Sequence, residues 1–118
     1  MHIIVCHMAD EELLGAHRQE LRRGTVVLAC LLALRTPGYG YALLKTLEAA
    51  GIPSDANTIY PLLRRLEERG LLESEWNTAE ARPRKFYRTS PAGAELARQL
   101  MTDMTNLGAA LRALNGGA

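Results

Sequence analysis

The sequence has 118 residues, 47% of them hydrophobic and 23% charged, a balance that suits one folded domain and excludes both a disordered chain and two independent domains. Aromatic residues make up only 5%, so the expected core is built from Leu, Ala and Val, and helix is favoured. A net charge of +1 excludes binding to a polyanion through the field of the whole molecule, and any such partner has to meet a local basic patch.

Residues 1–8 match nothing that follows and are expected to be a leader or cloning remnant without fixed structure. From Ala9 to Gln19 the residues favour a helix, with Asp10, Glu11 and Glu12 in its first turn and Leu13, Leu14, His17 and Leu21 at helical spacing. Thr25–Leu34 is apolar nearly all round, which predicts a buried central helix, closed by Arg35, Thr36, Pro37 and Gly38. A third helix is predicted over Tyr39–Ala50, from Tyr41, Leu44 and Leu47 with Leu43 alongside, and Gly51 stops it; Gly38 and Gly40 read only as the turn before it.

The fourth segment, Asp55–Arg69, has Ile59, Leu62, Leu63 and Leu66 on one face and Arg64, Arg65, Glu67, Glu68 and Arg69 on the other. Pro61 is tolerated best in a first turn, which favours Asn57 or Thr58 as the cap over a start at Ser54. Leu71–Trp76 and Lys85–Thr89 alternate and predict a two-stranded hairpin, with Trp76 read most simply as its core anchor and alternatively as a stacking surface for a ligand. Ser90 as cap and Pro91 as first helical residue then open a closing helix to Leu114. Its apolar residues Leu96, Leu100, Met104, Leu107, Leu111 and Leu114 follow a near-heptad seam that one short domain has no spare core to cover. Residues 115–118 should fray.

The expected fold is therefore mostly α with a small β-hairpin. A winged helix-turn-helix with its leading helix spans 9–90, and a helix suited to dimerisation spans 91–114. In that arrangement the second helix of the pair enters the major groove by its N-terminal residues, while the hairpin lies over the backbone or minor groove. The residues so placed are Asn57, Thr58, Tyr60 and Arg64, whose types suit base-edge reading. Asn57 and Thr58 are equally readable as caps, and the α-helical charge run as a solvated face. Arg82, Arg84, Lys85 and Arg88 form a run of cations with no carboxylate among them, suited to phosphate. Tyr39 and Tyr41 read either as core or as phosphate ligands.

No enzyme is expected, because His2, His7 and His17 all precede the main domain and leave it without an imidazole base. No metal or other cofactor is expected either: His2, Cys6 and His7 lack a fourth ligand and the spacing of a structural site. Cys6 and Cys30 make no disulfide framework, which points to a cytoplasmic setting. Val26–Leu34 is about half of the ~20 residues needed to span a bilayer, so no membrane anchor is expected.

Five ordered stretches resemble the PadR family of bacterial transcriptional regulators. They are Leu21–Thr25, Gly38–Tyr41, Thr58–Glu67 with its Tyr60–Pro61 pair, Gly70–Trp76, and Arg84–Thr89. The single closing helix is similar to the smaller subgroup of that family. The resemblance implies a homodimeric repressor of a palindromic double-stranded operator, held by Leu96, Leu100, Met104, Leu107 and Leu111 with help from Leu13 and Leu14. It also implies a small hydrophobic or phenolic effector, although the closing helix carries no aromatic residue. The rival expectation is a winged-helix dimer that binds protein, with its hairpin as the docking edge.

Overall fold

The computed structural model describes residues 7–79 and 81–116. The expectations for residues 1–6, including His2 and Cys6, and for residues 117 and 118 lie outside the described residues. The elements in chain order are α1 (His7–Arg22), α2 (Thr25–Ala33), β1 (Gly38–Tyr39), α3 (Gly40–Ala49), α4 (Ala56–Glu68), β2 (Leu72–Asn77), β3 (Arg84–Thr89) and α5 (Pro91–Leu114). Helix α1 thus begins two residues inside the expected leader.

Helix α2 is the hub, because a helix apolar on all sides has to be enclosed. Leu28, Cys30 and Leu31 on it, with Leu34 just beyond, are buried against Leu43 and Leu47 of α3, Ile59, Leu62, Leu63 and Leu66 of α4, Leu72 and Tyr87 of the sheet, and Ala97 of α5. Each such leucine contributes about 1.5–3 kcal/mol by leaving water. Helix α3 buries Leu43 and Leu47, one turn apart, and Tyr41 points outward. Helices α3 and α4 end on Gly51 (φ 86°) and Gly70 (φ 76°), where the left-handed backbone lets the amides of Ile52 and Leu71 return to the carbonyls of Leu47 and Leu66.

Two local expectations are corrected. The hairpin is part of a three-stranded antiparallel sheet of order β1-β3-β2, because Gly38 and Tyr39 leave the turn to pair with Tyr87 and Phe86. The cap of α4 is Asp55, whose carboxylate accepts the Thr58 amide at 2.8 Å, so neither Asn57 nor Thr58 caps the helix. Pro61 accordingly sits in the second turn, as the sixth residue of a helix that starts at Ala56.

The start of α5 is locked to the sheet. Ser90 caps it by accepting the Gly93 amide at 3.1 Å and donates its own hydroxyl to the Gly70 carbonyl at 2.6 Å. Gly93 lies so close to the Leu71 carbonyl that a Cβ there would collide with backbone. Past Leu100 the helix leaves the body, and α1 stands clear of it from Asp10 to Arg22, all exposed. These two projections give extents of 66 × 32 × 23 Å and a radius of gyration of 18.1 Å, against roughly 13–14 Å for a compact chain of this length. No helix among the described residues is long and apolar enough to cross a membrane.

Candidate nucleic-acid interface

Helix α4 has one face in the core and one in water. Opposite Ile59, Leu62, Leu63 and Leu66 lie Asn57 and Arg64, with Thr58 and Tyr60 on the two flanks, all exposed. With the cap assigned to Asp55, the side chains of Asn57 and Thr58 are released from any capping duty. The Tyr60 ring is seated on the bare backbone of Gly40, where a Cβ would strike its edge. The start of α3 and the outward face of α4 are thereby held one aromatic ring apart.

The wing, β2 and β3 with the loop between them, is tied to this helix by charge. Lys85 Nζ lies 3.0 Å from the Glu67 carboxylate on α4, and Ser74 on β2 donates its hydroxyl to the other Glu67 oxygen. The Ser74 hydroxyl and then Lys85 hold the Glu67 carboxyl below the usual carboxylate range, and the bond to Glu67 in turn raises Lys85. Arg88 meets Glu73 at 3.4 Å and Glu75 at 3.8 Å on β2. The cation run 82–88 contains no carboxylate of its own, and the fold supplies three from elsewhere.

Arg82 and Arg84 remain exposed. The Arg84 guanidinium lies 3.9 Å from the centre of the Tyr39 ring, and Phe86 meets that ring edge-on at 5.9 Å. The Tyr39 hydroxyl accepts from Asn77 Nδ2 at 2.8 Å, which leaves its own proton to be donated elsewhere. Tyr39 is thus half-buried with an engaged ring and an outward donor.

Trp76 is a correction. It is 62% exposed rather than a core anchor, because β2 carries it past the end of the cover that buries Leu72. It opens onto a shallow cleft of about 310 Å³ shared with Tyr39, Tyr41, Tyr60, Arg84 and Lys85. Five residues singled out in the sequence for phosphate or base contact are brought together there, and Trp76, expected first as a core anchor, joins them. Asn57, Thr58 and Arg64 stand along α4 outside this cleft, and Arg82 lies in the loop of the wing. Thr58 borders instead a larger hollow of about 720 Å³ between α1, α2 and α4, lined in part by Val26, Val27 and Leu62.

Among the described residues no three His, Cys, Asp or Glu side chains are grouped to hold a metal. The buried Cys30 thiol is pushed by desolvation up to about 11, far from a nucleophile's range.

The profile of the PadR-like transcriptional regulator family matches residues 27–99, from α2 into α5. The chain belongs to this family. A PadR family transcriptional regulator from Eggerthella lenta superposes with a TM-score of 0.88 at 44% identity, covering 94% of this chain and 99% of that one. A PadR-like transcription factor from Bacteroides fragilis gives 0.71 at 26% identity over 84% and 98% of the two chains. The transcriptional regulator Rv3488 of Mycobacterium tuberculosis is 42% identical over 55 residues, 47% of this chain and 51% of that protein. The chain therefore aligns with about half the length of that curated relative. PadR family members regulate transcription and are not enzymes, and the mostly helical fold with its small winged sheet is theirs.

Proposed function

We propose that this chain is a homodimeric repressor that reads a palindromic operator on double-stranded DNA and releases it when a small hydrophobic or phenolic effector binds. The observation that carries the reading is the outward side of α4, where Asn57, Thr58 and Arg64 lie exposed, with the Tyr60 ring partly so, beside the cations of the wing while the opposite face is buried. Residues 9–90 do the reading and residues 91–114 join the two copies, in the bacterial cytoplasm. Asn57 pairs with adenine, Thr58 meets a thymine methyl, and Arg64 takes guanine or a phosphate. Arg82, Arg84, Tyr39 and Tyr41 hold the backbone, and Lys85 joins them once a phosphate replaces Glu67.

Dimerisation through Leu96, Leu100, Met104, Leu107 and Leu111, with Leu13 and Leu14 of α1, sets two copies of α4 about 34–36 Å apart, one turn of the duplex. The effector acts by changing the angle between the two winged domains.

Fluorescence anisotropy of labelled duplexes at two salt concentrations tests the reading. Nanomolar binding that prefers the chain's own upstream promoter over a scrambled duplex by about a thousandfold supports it. Equal, salt-sensitive affinity for both, followed by failure to select any sequence from random DNA, overturns it in favour of a protein-binding winged domain.

A further inference from the structure

We propose that the cleft between wing and recognition helix seats one sugar-phosphate unit of the DNA backbone, with the Trp76 indole packed flat on the deoxyribose. This inference rests on the DNA-reading role and adds to it a residue and a mode of contact.

The first argument is the cost of the indole. Leu72, Ser74 and Trp76 alternate onto one face of β2. Leu72 on that face is buried and Ser74 is held by Glu67, but Trp76 is left 62% in water. A large apolar ring at the rim of a cleft gains when a partner covers it.

The second argument is the chemistry around it. The charged residues lining the cleft are Lys85 and the exposed Arg84, the former paired with Glu67 at 3.0 Å, so an entering anion meets Arg84 first and a lysine that it takes over from Glu67. Lys85 Nζ lies 6.0 Å from the centre of the Trp76 ring and 5.4 Å from that of Tyr87, so an anion drawn to Lys85 arrives beside the indole. Tyr39, whose hydroxyl accepts from Asn77, has its proton free to donate to the same group. An apolar wall beside the exposed Arg84, a lysine shared with Glu67 and a phenol donor matches a deoxyribose and the phosphate it carries.

The third argument is shape. The cleft is shallow, about 310 Å³, and lies where the wing meets the N-terminal part of α4, so a strand of backbone passing between major and minor groove crosses it edge-on. Duplex bases are paired and stacked, so the surface offered to the indole is the sugar.

Trp76 is the single tryptophan of the chain, so its emission reports this contact directly. In the full-length protein, a random-sequence duplex should blue-shift that emission and cut acrylamide quenching about threefold as labelled-DNA anisotropy saturates. Trp76→Ala should weaken operator and random duplex alike, about tenfold, the effect of roughly 60 Å² of ring surface leaving water. The slope of log K against log salt should stay unchanged, because no cation is lost. Trp76→Phe should recover most of the affinity, and Arg84→Gln should instead lower the slope by about one.

Saturating anisotropy with Trp76 as open to acrylamide as in the free protein overturns the inference and leaves DNA reading intact. Failure of every duplex to bind removes both. A Trp76→Ala loss confined to one sequence assigns the indole to a base and overturns the sugar contact. Protection of Trp76 that grows with protein concentration in the absence of DNA assigns it to a second copy, and also overturns it.

Discussion

Helices α4 and α5 both carry a stripe of leucines at helical spacing, yet opposite faces of them are left open. In α4 the apolar stripe is wholly consumed by the core, and the polar face is what remains available. In α5 only the first turns dock, through Gly93 and Ala97 with Leu96 and Leu100 half-buried, and from Met104 to Leu114 the apolar stripe itself is exposed. The same kind of pattern therefore leaves a polar face open to solvent in one helix and an apolar face open in the other. What decides between them is how much of the body lies within reach of each helix.

The largest effect should come from the open stripe of α5. Leu107→Asp with Leu111→Asp should give a monomer of about 13 kDa by light scattering and weaken operator binding at least about a hundredfold, since linked half-site contacts are lost. A dimer that survives both changes would break the contrast between the two helices. Next is the docked end: Gly93→Ala pushes α5 off the Leu71 carbonyl and should cost about 1–3 kcal/mol in urea unfolding, with dimerisation retained.

The open face of α4 gives a narrower effect. Asn57→Ala should cost about 1–3 kcal/mol on the operator and little on random DNA, and equal losses on both would return Asn57 to a purely helical role. The smallest effect belongs to the tie between wing and helix. The folded Glu67 carboxyl titrates below its ordinary 4.5, so its stabilisation is present above that pH and is lost as pH falls through the lowered value. Glu67→Gln should cost under about 1 kcal/mol at pH 7. Variant and wild type should converge as pH falls below the lowered Glu67 value, and a gap that persists in acid would make the tie a matter of packing rather than charge.

Both helices were legible in the sequence because the 3.6-residue period is a local property that survives any tertiary setting. The wing's alternation was legible for the same reason. Strand β1 was not, since two residues carry no period and Gly38–Tyr39 gains its identity only from pairing with β3. Asp55 could have been found as a cap from its position three residues before Thr58, but Pro61 in a first turn was the stronger local rule, and the fold overrode it. Trp76 shares the alternation of Leu72, and alternation gives the face of a strand without telling how far the body extends beneath it. The pairing of Lys85 with Glu67 joins residues on different elements, which no spacing rule reaches. The basic run was thus visible as a sequence feature while the part of it already neutralised was not.

Helix α5 is a single unbroken rod of 24 residues, about 36 Å long at 1.5 Å per residue. Clamped to the sheet at Gly93 and free of the body beyond Leu100, it is mechanically a lever. Turning the far end by ten degrees about the clamp sweeps it roughly 6 Å, the scale of a minor-groove width. In the proposed dimer, a change of one small angle in the packing of the leucine stripe would be travel enough to take the two winged bodies out of phase with a duplex, with no rearrangement inside either.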